Sequence, residues 1–550
     1  MTVLGLDSAQ LRKARGAFFT PDVVAGYLAE WAVRSPADAV LEPSCGEAVF
    51  LLAVGRRLRQ LGADGRLVGQ LHGAELHAAS AKRALALLNE ADLEAEISVG
   101  DFLKADPHPR YDAVVGNPPY VRYQSFSGES RAAAKQAAMR AGVALTNLAS
   151  SWAAFTVHSA LHVKRGGRLG LVLPAEMLSV NYAAPVREFL MRQFKRVRLV
   201  LFTERVFPGV MEDVVLLLAE GCGLGPSSHC ELLQTRNGES LAHLAETDVR
   251  RWDPAGTDRW SGALLNSAAT GIFAAARESA HFVDLQEWGD TTLGMVTGNN
   301  AFFALTADEV RQRQLVDHDV VRLSPPGSRH LRGLSLTTAD LARFDASDAQ
   351  TWLFRPDGEP SGAARRYIRE GQTRGVDTAY KCRVRTPWWR VPYQKPADLL
   401  LTYMNADTAR LCTNATQAHH LNSVHGVYLG PQHRRLGREL LSLAALNAVT
   451  LLGAELVGRS YGGGVLKLEP READSWPMPS PALVEGQRPQ LRRIRRRVRD
   501  LLVAGRLLDA SALVDEALLA RTGLTEGDVG ALRAGRQALH DRRVARSRSR

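Results

Sequence analysis

Apolar and polar positions between residues 20 and 200 fall into a repeating alternation: short β-branched runs, each followed by a longer Ala/Leu-rich stretch with helical spacing. The runs at 39–41, 67–74, 96–99, 111–116, 168–173 and 197–202 have the rhythm of strand–helix units, which predicts an α/β domain built on a mostly parallel, doubly wound sheet. A further strand is expected at 214–219, after which the Gly/Pro/Ser-rich piece 221–228 breaks the rhythm. These features assign residues 1–235 to a first domain and read 236–285 as a helical connector. Residues 286–485 mix Gly, Asn, aromatic and β-branched positions, the pattern of an irregular α+β domain. The spacing at 491–508 and 511–520 predicts helices within a basic tail over 486–550. The uncharged stretch 440–454 reads as one buried helix and is too short to span a bilayer.

Composition adds two constraints. With 550 residues, 45% of them apolar, the chain can form at least two cored domains. Its net charge of +11 is concentrated locally: residues 486–550 hold 16 Arg and 7 acids, and residues 361–435 hold 12 Lys/Arg and 4 acids. Those two segments make a polyanion worth expecting as a partner. The five cysteines, Cys45, Cys222, Cys230, Cys382 and Cys412, are widely separated, so neither a disulfide framework nor a cysteine zinc site is expected. The N-terminal residues lack a secretion pattern, and the expectation is a cytoplasmic protein with no membrane segment.

The strongest chemical signal is Asn117-Pro118-Pro119-Tyr120, at the carboxyl end of the fourth expected strand, where an open α/β sheet places its ligand crevice. Two prolines fix the bend and remove two N–H groups, leaving the Asn side-chain oxygen and the Pro118 carbonyl as acceptors beside an aromatic ring. That arrangement suits a planar amine. Other candidates occur in order along the chain. The small-residue loop Glu42-Pro43-Ser44-Cys45-Gly46-Glu47-Ala48 follows the first strand, Glu75 the second and Asp101-Phe102 the third. A carboxylate at Glu75 can accept from a ribose diol, and Asp101 with Phe102 can accept from an exocyclic amine and pack on a purine. Ahead of them runs Gly16-Ala17-Phe18-Phe19-Thr20-Pro21, in which Thr20 is either a helix cap or a ligand contact.

Together these residues resemble the gamma-class N6-adenine DNA methyltransferases of restriction–modification and related phage-defence systems. The resemblance implies a class I, Rossmann-like methyltransferase domain followed by a C-terminal α+β target-recognition domain. It further implies S-adenosylmethionine as cofactor and double-stranded DNA as partner, with a separately encoded restriction endonuclease or defence proteins nearby, and it leads us to expect a monomer. Carried over residue by residue, it makes Asn117, Pro118, Pro119 and Tyr120 the catalytic motif and Phe207 a second aromatic against the flipped base. Thr20, Glu42, Ser44 and Gly46 become methionine-side contacts, Glu75 the ribose acceptor, and Asp101 with Phe102 the contacts of the cofactor adenine, with Phe155 lining the same pocket. Ala48 departs from the pattern, standing where many relatives have a second loop glycine. Further landmarks are Thr297 to Phe303, Trp388 to Pro392, and Tyr461 to Lys467.

In the second domain Arg383, Arg385 and Arg390 lie beside Trp388 and Trp389, a combination that can contact phosphates and base edges, and these five are the expected DNA-binding residues. His419, His420 and His425 lack ligand partners at suitable spacing, so no metal is expected. The Arg-rich stretch 492–497 is either a helix lying on DNA or a packed terminal helix with a solvated face. Two competing functions remain at this point. A protein-glutamine N5 methyltransferase would use the same tetrapeptide on a side-chain amide, but needs no second domain of this size. A non-catalytic DNA-binding subunit of a defence complex would have no use for an intact tetrapeptide.

Overall fold

The computed structural model describes residues 20–121, 128–204, 206, 214–254, 260–265, 267–461 and 464–548. By contact density the chain divides into two compact units, which meet in sequence at Leu264 and Leu265.

Among the described residues the first unit is built on a nine-stranded sheet. Its strands are β1 (Val40–Pro43), β2 (Leu71–Glu75), β3 (Ala95–Val99), β4 (Tyr111–Gly116), β5 (Val163–Pro174), β6 (Phe194–Phe202), β7 (Val214–Cys222), β8 (Cys230–Thr235) and β9 (Arg250–Trp252). The spatial order is β3-β2-β1-β4-β5-β7-β6-β8-β9. β3 through β5 run parallel, β7 is inserted antiparallel between β5 and β6, and β9 pairs antiparallel with β8. The expected largely parallel, doubly wound sheet is therefore present, with β7 and β9 as its reversed strands.

Continuous apolar runs arise because both faces of this sheet are covered. Alternate residues point to opposite layers: Val114, Leu169, Leu171 and Leu173 belong to one core, whereas Ala113, Val115 and Val172 belong to the other. Helices α1 (Asp22–Ala32), α2 (Val49–Gln60) and α3 (Ala78–Glu90) supply the second core through Leu28, Phe50, Leu51 and Leu88. Helices α4 (Gly128–Met139), α5 (Ser151–Leu161) and α6 (Ala184–Gln193) supply the first through Ala137, Trp152, Val157 and Phe189. β1 and β4 are neighbours, and the chain crosses over to opposite sides from them, so the carboxyl ends of β1, β2, β3 and β4 form one row at the switch point of the sheet.

Three sequence expectations need correction. The segment 236–285 is not a helical connector. Its first half carries β9 and short 3-10 turns of the first unit, and its helix, Ser267–Glu278, belongs to the second. The stretch 440–454 is not one helix either. Asn447 breaks it: its side chain accepts from Thr450 N at 3.0 Å and donates to the Ala444 carbonyl at 2.7 Å, starting a new helix, Ala448–Val457, bent 87° from the preceding segment. Among the described residues no single helix is long and apolar enough to cross a membrane.

Finally, the 486–550 segment is no appendage up to Arg543. Helix Arg488–Val503 buries Leu491, Val498 and Leu502, and Arg543, 3% exposed, pairs with the equally buried Glu455 at 2.9 Å within the second unit. This favours the packed terminal helix of the two alternatives for 492–497, with Arg493, Arg496 and Arg497 on its solvated face.

The second unit is α+β, as expected. Its five-stranded sheet is ordered Gly289–Leu293, Val424–Leu429, Leu399–Thr402, Leu411–Asn414 and Ser335–Leu336. A separate aromatic core gathers Phe302, Phe303, Phe354 and Tyr367.

Burial keeps several imidazoles neutral. His420 and His330 in the second unit, and His158 in the first, are each pushed down to about 4 by desolvation. Their unfolded counterparts bind protons below about 6.5, so the unfolded state holds more protons in that window and stability falls as pH falls through it. Each such imidazole destabilises the fold by on the order of 3 kcal/mol once the pH is below its folded pKa. The thermal midpoint is expected to drop between pH 6.5 and 4; a midpoint flat across that interval in a calorimetric pH series would contradict the burial described.

Candidate active site

The row of strand ends brings the first-unit candidates together. β1 leads into the loop Ser44 to Ala48, in which Ser44, Gly46 and Ala48 all have positive φ, at 61°, 53° and 62°. A Cβ added at Gly46 would meet nothing within 4 Å, so the loop is open on that side. Ala48 adopts a left-handed conformation despite its methyl group, which is how the loop turns into α2 without the glycine expected there.

The loop is tied to the end of β2. Glu75, 6% exposed, accepts from Gly46 N at 2.9 Å through one oxygen and from His77 N at 3.0 Å through the other. A carboxylate oxygen has a lone pair beyond each of these bonds, so Glu75 is a fixed acceptor for hydroxyl donors. Gly100 N donates to the Glu75 carbonyl at 2.9 Å, which sets the neighbouring Asp101 beside the same strand end. Asp101 accepts from Leu103 N at 3.1 Å and so caps the turn Phe102–Lys104.

Phe102 and Phe155, expected in one pocket, do meet. Their rings stack with centroids 5.7 Å apart and 27° between planes. Two residues not foreseen from sequence complete the cluster. His158 lies edge-on to Phe102 at 4.8 Å and His162 is tilted against it at 5.1 Å with 32° between planes, and burial pushes these imidazoles down to about 4 and about 3, so both are neutral near pH 7. A helical spacing of histidines after Trp152-Ala153-Ala154-Phe155 was the available signal, but it carries no mark of what the rings pack on.

Glu42 does something that its motif position does not reveal. It is 2% exposed, and its carboxylate accepts from Leu51 N at 3.0 Å and from Phe50 N, the unpaired donors of the first turn of α2. Ala48, at the cap position, has no side chain that could do this. Desolvation holds the Glu42 carboxyl well above the usual carboxylate range, with the nearby charge of Glu75 acting in the same direction.

At the end of β4 the tetrapeptide is held from three sides. Asn117 donates through Nδ2 to Thr20 Oγ1 at 3.1 Å, which fixes the orientation of the amide. Thr20 is thus not the cap of α1, whose cap position is Pro21. The Tyr120 hydroxyl lies 2.6 Å from Asn117 Oδ1 and 3.0 Å from the Val172 carbonyl, giving it two acceptors between which to divide one proton. Ser151 Oγ accepts from Val121 N at 2.9 Å and donates to the Pro119 carbonyl, and Ser151 N donates to the Val121 carbonyl at 3.1 Å. Among the described residues nothing hydrogen-bonds the Pro118 carbonyl. Phe207, with residues 16–19, lies outside the described residues.

The five residues of the second unit separate into surface and core. Arg383 and Arg390 are exposed, and Arg390 donates to the Gly358 carbonyl at 3.1 Å. Arg385 is half-buried and donates to the Val296 carbonyl. Of the two tryptophans, Trp389 is corrected from a contact residue to core, and Trp388 is half-buried against the same core. Trp389 is 9% exposed, and Trp388 packs on Phe302 at 5.6 Å and Phe303 at 6.2 Å. Gly371 makes this possible, since a Cβ there would lie 2.7 Å from the Trp388 ring.

Comparison with known proteins covers most of the chain. A family model described as N-6 DNA Methylase matches residues 3–220, and one described as Type II methyltransferase M.Eco57I, C-terminal domain, matches residues 257–519. The chain is 26% identical over 483 residues to the Type II methyltransferase M.XamI of Xanthomonas campestris pv. amaranthicola, covering 84% of this chain and 85% of that protein. It is 20% identical over 493 residues to the Type II methyltransferase M.AccI of Acinetobacter calcoaceticus, covering 87% and 88%. Among solved structures, the Type IIL restriction-modification enzyme MmeI in complex with DNA shares the fold with a TM-score of 0.57, at 13% identity over 92% of this chain and 73% of that one.

The cap formed by Glu42 can be tested without any ligand. Glu42→Ala strands buried N–H donors and is expected to destabilise the chain by about 1–3 kcal/mol, whereas Glu42→Gln keeps an acceptor and loses much less. Urea unfolding of both variants measures this; an unchanged midpoint for the Ala variant would mean that α2 does not need the carboxyl.

Proposed function

Since the chain belongs to the N6-type DNA methyltransferases of restriction–modification systems, which take their methyl group from S-adenosylmethionine, we propose that it methylates the N6 amine of adenine at a specific site in double-stranded DNA. The observation that carries this reading is the fixed pair of acceptors at the end of β4. Asn117 Oδ1 is oriented by Thr20, and the Pro118 carbonyl has no partner among the described residues.

The cofactor assignment rests on the fit of the residues that would hold it. Glu75 offers a fixed acceptor to a ribose diol, Asp101 an acceptor to the adenine amine, and Phe102 with Phe155 an apolar wall, while the open side of Gly46 and Ser44 leaves the backbone approachable. When bound there, S-adenosylmethionine supplies a methyl group already activated on a sulfonium. The protein residues therefore need only prepare and place the nucleophile.

An adenine amine is planar because its lone pair is delocalised into the ring. Accepting from both of its N–H groups, at Asn117 Oδ1 and the Pro118 carbonyl, pulls the nitrogen toward a tetrahedral geometry and localises the pair for in-line attack. No general base of high pKa is required, because the proton lost afterwards comes from a cationic nitrogen. A paired base cannot reach this bend, so the nucleotide is rotated out of the duplex, and stacking on Tyr120, with Phe207 as the opposing aromatic, offsets part of the few kcal/mol of unstacking.

Sequence choice is assigned to residues 286–485, with Arg383, Arg390 and the partly exposed Arg385 as the retained contacts. The chain acts in the cytoplasm as a monomer, and a separately encoded restriction endonuclease reading the same site is its expected partner.

Two substitutions divide the site. Asn117→Ala is expected to lower methyl transfer to DNA at least about 100-fold while leaving cofactor affinity near the wild-type value. Asp101→Ala is expected to weaken the cofactor by about 1–3 kcal/mol, read by calorimetry. Sequencing of host DNA with and without the chain identifies the methylated base. An active Asn117→Ala variant, or a modification on a base other than adenine, would overturn the reading.

The recognition contacts give a third outcome. Arg383→Ala or Arg390→Ala should either relax the motif at one position, if the side chain meets a guanine edge, or weaken all sites alike with a shallower salt dependence, if it meets a phosphate. Methylated-site sequencing of each variant at two salt concentrations separates these results, and wild-type rate and motif in both variants would remove the two arginines from the interface.

A further inference from the structure

The proposed chemistry needs the amine-binding bend and the cofactor pocket to be held at one separation, and the motif residues alone do not supply that. Pro118 and Pro119 each expose a carbonyl, and the segment that follows could rotate to present either. The bond that removes this freedom comes from outside the motif.

Ser151 is 1% exposed and stands at the first position of α5. Its hydroxyl donates to the Pro119 carbonyl and accepts from Val121 N at 2.9 Å, and its own N–H donates to the Val121 carbonyl at 3.1 Å. The Pro119 carbonyl is therefore engaged and turned toward α5, which leaves the Pro118 carbonyl as the proline acceptor with no partner among the described residues. Both polar groups of Val121 are held by the same residue, so the exit from the bend cannot pivot.

The other side of α5 reaches the cofactor wall. Phe155 is one turn further along, about 6 Å up the helix axis and on the same face as Ser151, and stacks on Phe102. The turn between them is itself fixed to the short 3-10 turn Ala175–Leu178 that follows β5. Trp152, fully buried, donates through Nε1 to Glu176 Oε1 at 2.9 Å, and Tyr182 donates to the same oxygen at 2.6 Å. A rigid helical turn thus connects the residue that clamps the bend to the residue that lines the cofactor pocket.

Building on the reading of the site as an N6-adenine methyltransferase, we propose that Ser151 is a positioning residue for methyl transfer: it selects the Pro118 carbonyl as the second amine acceptor and, through the first turn of α5, sets the distance between the target amine and the methyl donor. Ser151 touches neither substrate in this scheme, and its effect passes through Pro119 and Val121.

The test uses the full-length chain with duplex DNA containing its methylation site. Ser151→Ala removes both side-chain bonds to the bend and is expected to lower the single-turnover methylation rate about tenfold or more, with the Kd for S-adenosylmethionine and for DNA within about twofold of wild type. Ser151→Thr keeps the hydroxyl and should recover most of the rate, and Ser151→Cys, a near isostere with a weak donor, should fall between the two. Thermal melting reports whether each variant is folded.

A wild-type rate in the Ala or Cys variant would overturn the role given to Ser151. So would a loss of rate matched by an equal loss of cofactor affinity, because that pattern belongs to a residue needed only for packing. A wild-type chain that binds S-adenosylmethionine but methylates no adenine would instead refute the underlying reading of the site, and the inference with it.

Discussion

A carbonyl or carboxylate at the end of a strand must find a donor, and the fold depends on where those donors come from at one edge of its first sheet. At the ends of β1 and β2 they come from the backbone, with Phe50 and Leu51 serving Glu42, and Gly46 and His77 serving Glu75. At the end of β4 the two prolines have no N–H to offer, so hydroxyls take over: Tyr120 donates to Asn117 Oδ1 and Ser151 to the Pro119 carbonyl, while Thr20 accepts from the Asn117 amide. What has no partner there among the described residues, the Pro118 carbonyl and a lone pair of Asn117 Oδ1, is what the proposed reading assigns to the target amine. The edge is thus a row of satisfied acceptors interrupted at one position.

How much of this was legible follows from what kind of signal each feature sends. The strands of the first unit were readable because a sheet covered on both faces produces unbroken apolar runs. The tetrapeptide and the acids after β2 and β3 were readable because a strand end followed by a functional side chain is a local pattern. The short strand Arg250–Trp252 was not, because three residues containing two arginines have no usable period. Asn447 was hidden by the apolar residues around it, since a cap of one residue does not disturb a hydropathy average.

The reading of Trp388 as a contact residue and the absence of any sequence reading for Ser151 have a different origin. An aromatic beside arginines looks the same whether it faces solvent or a hole, and the hole that receives Trp388 is made by Gly371, seventeen positions earlier in the helix Gly362–Thr373. A serine at the start of a helix is ordinary, and only its distance from Pro119 and Val121 gives it meaning. Charge misleads in a related way. Much of the local excess of arginine in the second unit is consumed internally: Asp398 holds Arg434 and Arg438, Glu439 holds Arg488 and Arg492, and Glu455 holds Arg543. Charge counted along a segment therefore does not tell how much of it its surface presents to a polyanion.

The reversed strand β7 has a consequence for how such a protein can change over time. Phe202, at the end of β6, and Val214, at the start of β7 and opposite Pro174 of β5, both lie on the carboxyl edge of the sheet. A connection that leaves and re-enters at the same edge places no demand on strand register. Lengthening it costs little, about 0.6 kcal/mol for each doubling. Residues can therefore be added between these two anchors without shifting the pairing of any strand, so this edge of the sheet tolerates growth that its interior does not.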